Sequence, residues 1–179
     1  IRDPLWSRGL GDVYKRQVYG IAGGKEKCEM LINDFGFDGA IDYKSEDLNE
    51  SLGKLCPNGA DIVYDNVGGR ILNDCLLHLA LNARIAICGI ISRHKTDNMN
   101  FGPENYSNLI FKRATMQGFL MLDYVSETAS ARSKMKKWIE EGKLICKEDL
   151  REGFENAPDT LKGLFDGKNK GKQLLKIAD

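Results

Sequence analysis

The residues best suited to chemistry are short glycine-rich and polar groups, each of which follows an apolar, strand-like run. The first group is Gly23-Gly24, with Lys27 shortly after it. Glycine lets the backbone approach an anion, and a lysine in the first turn of a helix adds its charge to the positive end of the helix dipole. The group predicts a phosphate site, although solvated lysines are also common at helix starts.

Three further groups lie in the same kind of position. Asp42-Tyr43-Lys44 offers a phenol and a second cation, Asp65-Asn66-Val67-Gly68-Gly69 lets a ligand pass close to the backbone, and Cys88-Gly89-Ile90-Ile91-Ser92 follows a fourth run. Each also fits an ordinary turn, because Asn and Gly tolerate unusual dihedral angles. Four groups in order, all at strand ends, predict a nucleotide crevice, since open α/β sheets bind ligands at the carboxyl ends of their strands.

The end of the first strand also bears on the choice of cofactor. A carboxylate there would accept hydrogen bonds from the ribose hydroxyls and favour NAD. Here the strand ends in two glycines with lysines behind them. This pattern favours NADP(H), with Lys27 close to the 2'-phosphate.

Strand-like and helix-like segments alternate along the chain and must position these groups. We expect strands at 18–22, 39–43, 60–65, 83–89 and 115–122, with amphipathic helices between them. The third helical stripe runs through Leu72, Cys75 and Leu76 to Leu79. Strands that alternate with helices of this length indicate βαβ units and a parallel sheet. The tail departs from this pattern, with a strand at 145–153, a helix capped by Asn156 and a last strand at 172–178.

The first 17 residues are unlike the rest of the chain. Residues 7–17 back-translate without strain into a transposon-type sequencing adapter read in frame, and residues 1–3 fit the end of the matching flow-cell primer. We expect residues 1–17 to be non-native, with a genuine N-terminal arm as the alternative. Fold reasoning therefore rests on residues 18–179.

Composition excludes several classes of protein. The 26 basic and 26 acidic residues give no net charge, so we expect neither nucleic acid nor an anionic membrane as a partner. No apolar run approaches the roughly 20 residues that a membrane span needs. The five cysteines are odd in number and form no C-x-x-C, so the sequence suggests no metal site and no disulfide framework. A reducing, cytoplasmic setting is the default expectation.

Six motifs in order resemble the C-terminal half of the zinc-independent medium-chain dehydrogenase/reductases. They are VYGIAGGKEKC, GFDGAIDYK, DIVYDNVGG, ARIAICGIIS, NLIFKRATMQGF and GKNKGK. The resemblance is strongest to the NADPH-dependent alkenal/one oxidoreductases, prostaglandin reductases and curcumin reductases. It implies an α/β fold: a Rossmann-type doubly wound parallel sheet lacking its first strand, at 18–143, followed by segments of a GroES-like substrate domain at 144–179.

The resemblance also implies a reaction and the roles of particular residues. The family transfers hydride from NADPH to the β-carbon of an α,β-unsaturated aldehyde or ketone and protonates the α-carbon. Lys27 and Tyr43 would hold the 2'-phosphate end, beside Gly23 and Gly24. The rest of the cofactor would lie along residues of the later strand ends and the C-terminal motif, namely Asn66, Val67, Gly68, Cys88, Gly89, Ile90, Ser92 and Asn169.

Both histidines and one cysteine call for an interpretation of their own. Relatives commonly have a tyrosine near the nicotinamide where this chain has Ser92-Arg93-His94. His94 is therefore a candidate proton donor, with a surface histidine as the equal alternative. We interpret His78 as structural, and the Cys88 thiol as a packing group in an apolar strand rather than a nucleophile.

Two functions are alternatives to an enal reductase. They are a quinone reductase of the same superfamily and a non-catalytic NADPH-binding protein. The family implies a homodimer formed through TMQGFLML. Without the first strand and its glycine-rich turn, we expect residues 18–179 alone to bind cofactor weakly and to expose strand edges prone to aggregation.

Overall fold

The computed structural model describes residues 17–92 and 102–178. Its strands are β1 (Tyr19–Ala22), β2 (Gly39–Asp42), β3 (Ala60–Asp65), β4 (Leu79–Ile87), β5 (Thr115–Gly118), β6 (Glu148–Glu152) and β7 (Lys172–Lys176). The α-helices are α1 (Lys25–Asn33), α2 (Leu48–Leu55), α3 (Gly69–Leu77), α4 (Asn108–Lys112), α5 (Thr128–Glu140) and α6 (Ala157–Phe165). Short 3-10 helices lie at Glu104–Ser107, Met121–Glu127 and Phe154–Asn156.

The described strands form three parallel sheets, in the orders β1-β2, β3-β4-β5 and β6-β7. The strands of a Rossmann-type sheet lie in the order 3-2-1-4-5-6, which without the first strand leaves the pair 3-2 and the triplet 4-5-6. The pair β1-β2 and the triplet β3-β4-β5 have these orders. The prediction of an incomplete, doubly wound parallel sheet is confirmed.

The chain divides into two compact units, one that ends at Leu55 and one that begins at Cys56. The first contains β1, β2, α1 and α2, and its buried residues include Ile41 of β2 and Leu48 of α2. The second contains all later elements. The predicted boundary between Rossmann and substrate-domain segments near residue 144 stays a prediction.

The core of the second unit joins α3 to β4. Leu72 and Leu76 of the helix pack with Leu79, Ala83 and Ile85 of the strand, and Leu76 and Leu79 have no exposed surface. Leu72 and Leu76 are four residues apart along the helix, and Ala83 and Ile85 are two apart along the strand, so each element presents one apolar face. Burial of the two faces fixes the position of the loops that follow β3 and β4.

Several of the predicted boundaries were wrong, and two of them show the cause. Leu79 continues the apolar spacing of α3 but begins β4, because it pairs with Ala60 and the backbone N–H of Ala60 donates to the His78 carbonyl at 2.7 Å. Strand β5 ends at Gly118 rather than at Leu122, since its partner β4 ends at Ile87, which is paired with Gly118. In each case strand pairing determined the boundary and local hydrophobicity did not.

The helix cap predicted in the tail differs in its detail. Asn156 lies at the N-cap of α6, but its side chain makes no cap hydrogen bond. Its Nδ2 donates instead to the carbonyl of Glu152 at 2.7 Å, which ties the helix start to the end of β6. The side chain therefore stabilises the β6–α6 connection rather than the first turn of the helix.

Candidate cofactor site

The carboxyl end of the β1-β2 sheet brings together the first predicted group of residues. Ala22 and Asp42 are the last paired residues of the two parallel strands, and the Tyr43 N–H donates to the Ala22 carbonyl at 3.2 Å. The Gly24 N–H donates to Asp42 Oδ1 at 2.7 Å across the same end. The turn after β1 and the turn after β2 are therefore held side by side.

Tyr43 lies directly over Gly23 in this turn. A Cβ on Gly23 would lie 3.0 Å from Tyr43 Oη and 2.8 Å from Lys44 Cε. Tyr43 is 40% exposed, so the side chain that lies beside the glycine is still accessible to a ligand. The absence of a side chain at Gly23 gives the phenol its place beside the end of β1.

Helix α1 begins at the same turn. Gly24 is its N-cap residue, with a φ of 102°, and the N–H groups of Lys27 and Cys28 donate to the Gly24 carbonyl. Lys27 is half-buried in the first turn. Space around the Gly24 Cα is open, since an added Cβ would meet nothing within 4 Å. The structure thus places Gly23, Gly24, Lys27 and Tyr43 together, as the sequence predicted.

The loops after β3 and β4 run alongside each other in the second unit. Backbone N–H groups of the loop after β4 donate to backbone carbonyls at the end of β3 and in the loop after it. The Cys88 N–H donates to the Asp65 carbonyl at 2.7 Å. Further along, the Ile91 N–H donates to the Asn66 carbonyl at 3.4 Å and the Ser92 N–H to the Val67 carbonyl at 3.0 Å. A side chain on Gly89 would meet the Asn66 carboxamide. These bonds hold the predicted residues at the adjacent carboxyl ends of β3 and β4: Asn66, Val67, Gly68, Cys88, Gly89, Ile90 and Ser92.

Two buried aspartates, which are not among the predicted site residues, shape these turns. Asp42 is the last residue of β2 and Asp65 the last residue of β3. Asp65 accepts hydrogen bonds from the N–H groups of Val67 at 3.2 Å and Gly68 at 2.9 Å. Asp42 accepts from Gly24, Lys44 and the Ser45 hydroxyl, and these bonds, that from Gly24 first, hold its pKa below the usual range. The sequence does carry a signal for this role, because an Asp at the end of a strand and directly before a turn often accepts hydrogen bonds from the backbone of that turn.

Cys88 is not a packing group, contrary to the interpretation of the sequence. It lies one residue beyond β4 and is exposed, since the strand ends at Ile87. A side-chain hydrogen bond to Cys88, followed by partial burial, raises the pKa of Tyr64. The ring centroid of Tyr64 lies 6.3 Å from that of Phe119, which lies 6.4 Å from that of Tyr124. An aromatic surface therefore borders the thiol.

The remaining candidate residues lie elsewhere. Asn169 belongs to the turn before β7, where its Nδ2 donates to the Gly171 carbonyl at 2.8 Å. That turn belongs to the β6-β7 sheet and not to the sheet that carries Asn66. His94 lies outside the described residues, and His78 is the C-cap of α3, where it is partly buried.

The residues that the structure describes contain no metal-ligand cluster, no disulfide and no membrane-spanning helix. No group of three or more His, Cys, Asp or Glu side chains in this part of the chain is arranged to hold a metal ion. All five cysteines lie within it as free thiols. None of its helices combines the length and hydrophobicity needed to cross a bilayer.

Comparison with known proteins places the chain in a family. Residues 13–140 match the zinc-binding dehydrogenase family, and the chain belongs to it. This match confirms the resemblance to the medium-chain dehydrogenase/reductases.

Relatives of known name agree with this placement. The chain is 41% identical over 162 residues to the NADP(+)-dependent 2-alkenal reductase of Nicotiana tabacum and 36% identical over 174 residues to the NADPH-dependent curcumin reductase of Escherichia coli. These matches cover 90% and 94% of this chain but 47% and 50% of the relatives. The chain therefore spans about half the length of the curated relatives that it matches.

A solved structure supports the fold. The crystal structure of CurA from Vibrio vulnificus in complex with NADPH matches with a TM-score of 0.83 and 40% sequence identity. The match covers 91% of this chain and 50% of CurA. The Rossmann-type fold class predicted from the sequence is thereby confirmed.

Proposed function

We propose that the protein to which this chain belongs is an NADPH-dependent oxidoreductase that reduces the C=C bond of α,β-unsaturated aldehydes or ketones. The names of the relatives support the reaction class, because those relatives are an alkenal reductase and a curcumin reductase that use NADP(H). The bound NADPH of CurA supports the cofactor.

The observation that carries the proposal is the turn at the end of the β1-β2 sheet. A 2'-phosphate needs cations, hydrogen-bond donors and close access to backbone, and an exposed carboxylate would repel it. Here Tyr43 lies over Gly23, Lys44 is adjacent, and Lys27 is in the first turn of α1. The nearest strand-end carboxylate, Asp42, is 8% exposed and accepts its bonds from the protein itself. The residues present fit the adenosine phosphate of NADPH.

For the remaining residues we propose the roles that the family resemblance implies. When bound, NADPH supplies the hydride. Asn66 and Cys88 at the β3-β4 end would line the cofactor beyond the adenosine, with Val67, Gly68, Gly89, Ile90 and Ser92 providing backbone that a ligand approaches closely. Asn169 is proposed to close over the cofactor from the C-terminal turn. His94 is the candidate donor of a proton to the substrate.

The test is to follow the loss of NADPH and of NADH by absorbance with a trans-2-alkenal, using the full-length protein and identifying the product. We expect rapid loss of NADPH, slow loss of NADH, and a saturated aldehyde. Turnover of quinones but not of the alkenal would favour a quinone reductase instead. Binding of NADPH without turnover of any enal, enone or quinone would favour a non-catalytic binding protein.

We also propose that the full-length protein forms a homodimer through β5. This strand is at an edge of the β3-β4-β5 sheet, and all four of its residues are exposed. Leu120, Met121 and Leu122 follow it and are 59%, 64% and 71% exposed, so the edge continues into an apolar surface. Sedimentation analysis is expected to give a dimer that Met121→Asp dissociates. A wild-type monomer at micromolar concentration would contradict this.

A further inference from the structure

We propose that Asp42 is a positioning residue for the selectivity between NADPH and NADH. In this role its carboxylate holds the turn after β1 and the turn after β2 in the arrangement that receives a 2'-phosphate. The inference rests on the proposed function, since it concerns the cofactor end of that site.

The hydrogen bonds of Asp42 join two turns that are far apart in sequence. Oδ1 accepts from the Gly24 N–H at 2.7 Å and from the Lys44 N–H at 3.1 Å, and Oδ2 accepts from the Ser45 hydroxyl at 2.8 Å. One carboxylate thus fixes the N-cap residue of α1 and the residue that follows Tyr43. These turns carry the groups expected to meet the phosphate.

Asp42 is suited to acting through its neighbours rather than on a ligand. The residue is 8% exposed, and both carboxylate oxygens are engaged by the protein. Its own N–H donates to Glu46 Oε1 at 2.9 Å, which anchors the backbone from the other side. The bond from Gly24 therefore sets the position of the N-cap residue of α1.

Loss of this carboxylate would leave strand pairing intact but release the turns. The Tyr43 N–H to Ala22 carbonyl bond belongs to the backbone and does not need the Asp42 side chain. The N–H groups of Gly24 and Lys44 would lose their acceptor, so Tyr43 and Lys44 would no longer be held against Gly23. Binding of the adenosine ribose without its phosphate does not need that arrangement.

Three variants of the full-length protein separate positioning from charge and from general stability. Asp42→Ala removes the acceptor, whereas Asp42→Asn keeps an oxygen for Gly24 and Lys44 and removes only the charge. Asp47→Ala is the matched control, because Asp47 Oδ1 accepts from the Glu50 N–H at 2.8 Å in the same unit but at the start of α2. Circular dichroism verifies folding, and Asp42→Ser replaces Asp42→Ala if the alanine variant does not fold.

Binding is measured by calorimetry with 2',5'-ADP and with 5'-AMP, which differ only in the 2'-phosphate. We expect Asp42→Ala to weaken 2',5'-ADP binding by about tenfold, because the released turn loses one hydrogen bond to the 2'-phosphate, and to change 5'-AMP binding by less than about twofold. Asp42→Asn is expected to retain most of the wild-type ratio, and Asp47→Ala all of it. The ratio of kcat/KM for NADPH to that for NADH is expected to fall in parallel.

A folded Asp42→Ala protein that keeps the wild-type ratio of the two affinities, whether both affinities are unchanged or both fall equally, would overturn the inference alone. A wild-type protein that binds 2',5'-ADP no better than 5'-AMP would overturn the proposed cofactor, and the role of Asp42 with it. Loss of the ratio in Asp42→Asn as well as in Asp42→Ala would assign the effect to charge and refute positioning.

Discussion

The substitution Gly23→Ala tests whether Tyr43 acts through its position over this glycine. The new Cβ would lie 2.8 Å from Lys44 Cε and 3.0 Å from Tyr43 Cε1 and Oη. Lys44 is exposed and can move aside at little cost, whereas the tyrosine ring, with two atoms at 3.0 Å, must shift by a few tenths of an ångström. Gly23 is not among the residues of positive φ, so the substitution adds no backbone strain.

The expected magnitude follows from the bond that would be lost. A hydrogen bond to a charged group contributes roughly 1.5–3 kcal/mol, and about 1.4 kcal/mol corresponds to a factor of ten in affinity. If Tyr43 donates one such bond to the 2'-phosphate, the shift of its ring in Gly23→Ala weakens NADPH binding by up to roughly 10- to 100-fold, the value for complete loss of the bond. NADH, which lacks this phosphate, should bind as it does to the wild type. Displacing the ring costs folding stability only about 1 kcal/mol.

The assay is fluorescence titration of the full-length protein with both cofactors, in a cycle that combines Gly23→Ala with Tyr43→Phe. The two substitutions should be non-additive, because both act on the same hydroxyl. Gly102→Ala is the control, since a Cβ on Gly102 would meet nothing within 4 Å. NADPH affinity that is unchanged in a folded Gly23→Ala protein, or strict additivity in the cycle, would refute the reasoning.

Three further predictions concern stability and reactivity. Leu76→Ala should lower the free energy of unfolding by about 2–5 kcal/mol in urea titrations because Leu76 is fully buried, while Leu77→Ala, at a residue 42% exposed, should cost less than about 1 kcal/mol. Burial, followed by the charges of nearby aspartates, raises the pKa of the Cys75 thiol to about 12. Iodoacetamide at mildly alkaline pH should therefore label the exposed Cys88 and spare Cys75 until the protein unfolds, which peptide mass spectrometry would measure. The pKa of Asp42 is lowered in the folded chain, chiefly by the Gly24 N–H; its stabilising contribution is therefore complete above its ordinary pKa near 4 and lost as the pH falls through the lower folded value. The stability advantage of the wild type over Asp42→Asn should disappear in that acidic range, and an advantage that persists there would contradict the assignment.

Much of the fold follows from periodic patterns that short segments carry. The alternation of strands and helices predicted β1 to β5 and their parallel pairing, because each apolar run needs a partner face and each crossover needs a helix. The parallel pairing of β6 with β7 was not predicted, since both strands are short and mostly polar. Boundaries such as Leu79 depended on which strand lay opposite, which local sequence does not encode.

The site was predicted only in part for a similar reason. Glycines, lysines and a tyrosine at strand ends could be recognised from the sequence as residue types that bind ligands. The turn after β1 does bring Gly23, Lys27 and Tyr43 together. The role of Asp42 depends on a hydrogen bond to a residue 18 positions away, which becomes apparent only when β1 and β2 pair. The exposure of Cys88 likewise depends on where β4 ends.

Transfer of a label from cofactor to substrate is the most direct test of the central claim. NADPH carrying deuterium at the reactive C4 position would be incubated with the full-length protein and an α,β-unsaturated ketone, and the product analysed by NMR. The account predicts one deuterium at the β-carbon, a solvent proton at the α-carbon and an intact carbonyl group. Deuterium at the carbonyl carbon, giving an allylic alcohol, or no transfer by a protein that binds NADPH, would contradict it.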